Sequence, residues 1–270
     1  MRIIPYNGVA CGEVRPVRFL KAFGREEERA RIVAFGRCNY HCPYCRRDAQ
    51  FVDDRGNVLT SREVSDDEIF ALLEEALERG ERIRLSGGDP CMHPRDSLRI
   101  AQWAAKRGEQ ISLCHNGSSP AYIRRMAPYL AYAAIDLKAI NPDEYALRSG
   151  IDVHVARKVL SHFEEVCWHV LKNETSLLDV RTCVFSDTTL DDLMEMAQRI
   201  ATLGHSNRVF WTIRQYNSVD GIDWHPLCQE TLEEWIGIIS EMYGALHIGC
   251  RLAWEGGLFY HWYSGTRELL

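Results

Sequence analysis

The chain has 270 residues, a net charge of −6 and 26% charged residues with both signs interspersed. That length can bury a substantial core, while the absence of a basic run argues against nucleic acid as a partner. No stretch of about eighteen apolar residues is present to span a membrane, and the first residues carry no apolar leader core, so a cytoplasmic protein is expected.

From residue 31 onward, apolar runs alternate with amphipathic stretches. Residues 31–35 read as a strand. Residues 66–79 have apolar positions 69, 70, 72, 73, 76 and 77 at a helical period, with Ser65 or Asp66 as N-cap and Gly80 as stop. Strands follow at 82–86, 110–114, 133–137, 177–185 and 208–214. Helices are predicted at 95–107, 119–130, 153–171, 189–203 and 231–243.

Six βα units in series imply a parallel sheet curled by right-handed crossovers. The expected fold is α/β, an open (β/α)6 partial TIM barrel with an N-terminal extension and an extra C-terminal strand near 245–254. Its site should lie at the C-terminal strand ends. One domain is expected, with residues 1–30 as the extension, 31–217 as the barrel core and 218–270 as a closing segment.

Ten cysteines lie at 11, 38, 42, 45, 91, 114, 167, 183, 228 and 250. Their scatter suits free thiols in a reducing compartment. The exception is Cys38, Cys42 and Cys45, in the run Gly36-Arg-Cys-Asn-Tyr-His-Cys-Pro-Tyr-Cys. Three thiolates so close can ligate three irons of a [4Fe–4S] cube and leave the fourth open. A zinc knuckle with His41 as fourth ligand is the alternative.

The CxxxCxxC spacing, with Tyr44 before the last cysteine, resembles the radical S-adenosylmethionine (radical SAM) superfamily. The resemblance implies that the open iron chelates the amino and carboxylate groups of SAM, which is split to a 5′-deoxyadenosyl radical. Further motifs follow predicted strands in order. Gly87-Gly88-Asp89 is similar to the family's "GGE" motif, whose backbone groups pair with the SAM amine. Cys114-His-Asn116-Gly resembles a "TNG"-like segment, which would set Asn116 near the SAM carboxylate. Asp136-Leu-Lys138, followed by Asn141-Pro-Asp-Glu-Tyr145, resembles the "DLK" segment of glycyl-radical activases and would hold the methionine end of SAM. Arg181 would reach the SAM ribose or carboxylate, or substrate. Gln215 and Asn217 are the polar groups nearest the adenosine position.

Two reaction types share this architecture: activation of a glycyl-radical partner, and hydrogen abstraction from a small molecule. Cys114, Cys183 and Cys250 at or beyond strand ends favour the second, because a thiol donates a hydrogen atom readily to a carbon radical. The late Cys250, single cluster and compact barrel resemble the carbohydrate epimerases of neomycin or avilamycin biosynthesis. The expectation is thus redox-neutral epimerisation of a sugar carbinol centre in antibiotic biosynthesis, with Cys250 as hydrogen donor. Flavodoxin or ferredoxin would supply electrons. Trp211, Tyr216, Trp224, Trp254, Tyr260 and Trp262 could stack on an oligosaccharide, and Asp220, Asp223, His225 and Glu255 could bind its hydroxyls.

Overall fold

The computed structural model describes residues 14–35, 38–45, 65–252 and 259–270. One sheet of ten described strands follows chain order throughout. Seven are parallel neighbours: β2 (Glu28–Phe35), β3 (Arg82–Gly87), β4 (Ile111–His115), β5 (Leu130–Asp136), β6 (Leu177–Val184), β7 (Val209–Gln215) and β8 (His247–Arg251). An antiparallel β1 (Val14–Val17) flanks β2, and β9 (Phe259–Tyr263) and β10 (Thr266–Leu269) meander off β8. The two edge strands do not pair with each other, so the partial barrel is open.

The described helices are α1 (Asp66–Glu78), α2 (Pro94–Ala105), α3 (Pro120–Met126), α4 (Pro142–Ser149), α5 (Val153–Ser161), α6 (Phe163–Leu171), α7 (Leu190–Ala201) and α8 (Gln229–Met242). Ser65 caps α1 as expected, its hydroxyl accepting from Glu68 N–H at 3.2 Å.

Four local readings differ from the sequence expectation. The late strand is not an added cover; it enters as the seventh parallel strand after α8, beside β7. The helix expected over 153–171 breaks at His162, whose φ of −104° and ψ of 0° leave the α region. An unexpected helix, α4, arises where Asn141 accepts from Asp143 and Glu144 N–H, Pro142 opens the first turn and Gly150 ends it. The helix predicted at 119–130 ends at Met126, and a 3-10 turn containing Pro128 leads into β5 at Leu130.

The strand period of two sorts the residues into two layers. Ile83, Leu85, Leu113, Ile135, Val180, Trp211, Ile213 and Ile248 pack under the helices in the main core. At the lower end of the opposite face, Phe19 and Leu20 of a 3-10 turn join Tyr132, Phe210 and Phe259 in a second cluster. The upper half of that face, at the C-terminal strand ends, is polar.

Candidate active site

Cys38, Cys42 and Cys45 lie on the loop after β2, partly exposed and free of disulfides. The loop is fixed from several directions. Gly87 has φ +102°, and a Cβ there would stand 2.1 Å from Phe35 N, so glycine alone lets β3 pass this close. The adjacent Gly88 N–H donates to Phe35 O at 2.5 Å. His41 N–H donates to Ser149 O at 2.9 Å, and the next residue, Gly150 (φ +60°), would place a Cβ 2.2 Å from His41 O. The Tyr40 and Tyr145 hydroxyls meet at 3.4 Å. Asn116 Nδ2 donates to Asn39 Oδ1 at 2.7 Å, and Asn39 Nδ2 donates to Ser118 Oγ at 2.9 Å.

The sulfur environment fits a cluster. Tyr40 N–H points at Cys38 Sγ from 3.4 Å and Asn116 Nδ2 from 3.8 Å; such donors favour the thiolate that ligates metal. Burial nevertheless pushes the Cys42 thiol up to about 11, against the pull of Lys138 and with Asp136, Cys45 and Cys38 adding to it. Among the described residues, the set of His, Cys, Asp and Glu atoms within 4.8 Å of one another is Asp89, Cys91 and His115. The three loop cysteines form no such set.

Asp89 is a strut. Its buried carboxylate accepts from His115 Nδ1 at 2.8 Å, Cys91 N–H at 2.9 Å and Asn116 N–H at 2.8 Å. Ser119 N–H donates to His115 Nε2 at 3.2 Å, which places the ring proton on Nδ1. Burial opposes the charge on Asp89, but His115 and the two backbone donors hold its carboxyl below the usual range. Its oxygens are thus engaged within the protein, and it aims Asn116 at the cysteine loop.

At the end of β5, Lys138 Nζ donates to Asp136 Oδ2 at 2.9 Å and to Tyr44 OH at 3.3 Å. Burial works against the ammonium, yet Asp136 and Tyr44 keep its pKa well above the ordinary value. This ties the motif on β5 to the aromatic residue beside Cys45. Tyr44 also packs against Phe185 (centroids 5.1 Å) and Trp224 (6.0 Å). The Arg148 guanidinium lies 4.0 Å from the Phe185 ring centre and donates to Asp187.

The same face continues across β6 to β8, where register aligns Cys183 with Arg214 and Arg214 with Arg251. Arg181 Nε donates to Asp179 Oδ2 at 2.6 Å and Nη1 reaches Cys114 Sγ at 3.5 Å. Arg214 Nε is buried and has no hydrogen-bond partner among the described residues. Asn217, just beyond β7, buries an Oδ1 that has no hydrogen-bond partner among the described residues.

Two expected site residues face elsewhere. Cys250 has no exposed surface and packs in the helix-side core, with Glu233 and Arg267 as its charged neighbours. The period of two puts it on the face opposite Arg251, away from Lys138 and Cys183. Gln215 likewise turns from the Arg214 side; its Nε2 donates to Leu227 O at 2.7 Å and holds the 218–228 segment.

Of the expected sugar platforms, Trp211 is core, with Nε1 donating to Thr182 Oγ1 at 2.9 Å, and Trp262 is buried. Tyr216 and Trp224 lie around Tyr44, whereas Trp254 and Glu255 fall outside the described residues. Sequence reading missed Arg214 although the alternation Phe210, Thr212, Arg214 carried the signal. It also missed Gly150 and Arg148, whose roles depend on contacts between distant loops.

Residues 32–200 match the family described as the Radical SAM superfamily. The chain is 27% identical over 187 residues to a probable GTP 3′,8-cyclase of Thermococcus kodakarensis, covering 67% of this chain and 56% of that one. It is 28% identical over 109 residues to a putative glycyl-radical enzyme activating enzyme of Methanocaldococcus jannaschii, covering 40% and 42% respectively. The chain therefore spans about half the length of these curated relatives. A radical SAM methyltransferase from Sphaerobacter thermophilus shares the fold, with a TM-score of 0.59, 15% identity, and coverage of 84% of this chain and 67% of that one. Among the described residues no helix is long and apolar enough to cross a membrane. With the family matched over most of its length, this chain belongs to the radical SAM superfamily, whose enzymes use a [4Fe–4S] cluster and SAM.

Proposed function

We propose that the protein inverts a carbinol carbon of a small molecule, with Cys183 rather than Cys250 returning the hydrogen. When bound, the cluster and SAM supply the 5′-deoxyadenosyl radical that removes hydrogen from substrate. Cys38, Cys42 and Cys45 hold the cluster in this reading. The backbone at Gly87 and Gly88, with Asn116, Asp136, Lys138 and Arg181, receives the methionine end and ribose of SAM. Tyr44 and the buried Asn217 Oδ1 flank the adenosine.

The observation that carries the proposal is the placement of Cys183. It lies on the polar face, two positions above Arg181 and aligned with Arg214. Burial pushes its thiol up to about 12, with Asp136 adding to the shift against Lys138, Arg214 and Arg148. At neutral pH it therefore keeps the hydrogen that a donor must give. The balance is complete with an external one-electron donor such as flavodoxin or ferredoxin. One electron cleaves SAM, the S–H hydrogen passes to the substrate radical, and a second electron with a proton restores the thiol. A sugar centre of the antibiotic-pathway kind is the proposed target.

The test is an anaerobic reaction of reduced, cluster-loaded protein with SAM and candidate oligosaccharides in D2O. A product of unchanged composition carrying one new deuterium supports inversion, and Cys183→Ala should abolish that product while 5′-deoxyadenosine still forms. Undiminished deuterium uptake in Cys183→Ala overturns the donor assignment. The Asp136-Leu-Lys138 segment and the activase relative favour a second reading, in which the hydrogen comes from a glycine of a partner protein. A glycyl-radical signal in a supplied partner, with every sugar untouched, would establish that reading instead.

A further inference from the structure

Among the described residues of the upper polar face, Arg214 is the arginine that neither a carboxylate nor a hydrogen bond at Nε answers. Lys138 is matched by Asp136 and Arg181 by Asp179. Asp179 is further engaged at its other oxygen, which accepts from Thr212 Oγ1 at 2.5 Å. Arg214 and Arg251 stand directly across from each other on β7 and β8, on the same face as Arg181. No described acidic side chain forms an ion pair with Arg214, and its buried Nε makes no hydrogen bond.

A buried guanidinium N–H without an acceptor is costly, and like charges beside it add to the cost. The effect is legible in its titration: burial and then Arg181 lower the Arg214 pKa to about 10, with Arg251 adding to them against Asp179 and Asp136. An arrangement of this kind is relieved by an incoming anion. Arginine's planar fork suits a carboxylate or phosphate, which it can bind through two parallel hydrogen bonds.

SAM brings a carboxylate of its own, which Lys138, in contact with Tyr44 beside the cysteine loop, is placed to receive. Lys138, just after β5, touches Tyr44, one residue from Cys45, whereas Arg214 on β7 lies two strands farther round the sheet and Arg251 on β8 three. Strand order sets Arg214 apart from Lys138 on the sheet.

We infer that Arg214, assisted by Arg251, forms a substrate-anion subsite, so that the molecule acted on carries a phosphate or carboxylate group. This deepens the proposed function and rests on it for the identity of the pocket as a substrate chamber. A neutral oligosaccharide would leave Arg214 unanswered; a phosphorylated or uronic-acid sugar would not.

The experiment is calorimetric titration of cluster-loaded, SAM-saturated protein with inorganic pyrophosphate and, separately, with malonate. Binding needs no turnover, so it can succeed or fail independently of the epimerisation test. The expected result is binding of at least one anion with SAM still in place, weakened about tenfold or more in Arg214→Gln, as the loss of a hydrogen bond to a charged group predicts. Arg214→Lys should restore part of it. Arg251→Gln, at an exposed position, should weaken binding by a smaller factor and serves if Arg214→Gln does not fold. The preferred anion distinguishes phosphate from carboxylate. Failure of both anions to bind, competition between the anion and SAM, or equal affinity in the Arg214 and Arg251 variants would overturn the inference.

Discussion

Phe210, Thr212 and Arg214 stand two residues apart on one face of β7 and pass from a sealed end to an open one. At the lower end Phe210 is fully buried against Phe19 and Phe259, at centroid distances of 5.6 and 5.9 Å. There His247, His261 and Glu268 satisfy one another in a chain, with contacts of 3.1 and 2.7 Å. At the upper end, Arg214 Nε and Asn217 Oδ1 are buried without protein partners among the described residues. One strand face thus serves two purposes. Where packing and hydrogen bonding are complete the barrel is stabilised, and where they are incomplete it has room and polarity for ligands.

The largest effect that would sharpen this contrast is chemical. Cys42→Ala should reduce 5′-deoxyadenosine formation to background while leaving the far-ultraviolet circular dichroism unchanged; persistent cleavage would remove the cluster assignment. At the lower end, Phe210→Ala should cost about 3–5 kcal/mol in denaturant unfolding. The same variant should still load iron when folded, and a selective loss of iron without loss of stability would erase the distinction between the ends.

Gly150→Val tests the link between α4 and the cysteine loop. Its positive φ and contact with His41 O predict a loss of about 2 kcal/mol or more, accompanied by lower iron content. Normal iron loading would show that α4 does not position the loop.

The smallest effect is a pH dependence. Burial, with His261 adding to it, lowers the His247 pKa to about 4. The unfolded chain therefore binds the extra proton first, and stability falls as pH drops from about 6.5 toward 4. His247→Gln should flatten that part of the stability profile; an unchanged slope would assign the acid sensitivity to other groups.

Much of this was legible in local sequence. The βα alternation located the parallel strands because helical and strand periods differ, and the cysteine spacing singled out the loop after β2. Helix α4 was hidden inside a segment read as a ligand motif, although Asn141, Pro142 and Gly150 mark its ends. Face assignment was the weaker step. Residue type and nearness to a strand end point to Cys250 and Gln215, whereas their place in the two-residue alternation turns both away from Arg214. The contacts of Gly150 with His41, and of Arg148 with Phe185, join residues far apart in the chain. No local pattern encodes them.

The central claim is that the polar upper face is the reaction chamber and that Cys183, not Cys250, offers hydrogen into it. It is tested most directly without substrate, by reducing the cluster-loaded protein with SAM in D2O and weighing the 5′-deoxyadenosine. The account predicts deuterium in 5′-deoxyadenosine from wild-type protein, its loss in Cys183→Ala and its retention in Cys250→Ala. Retention in Cys183→Ala with loss in Cys250→Ala would contradict it.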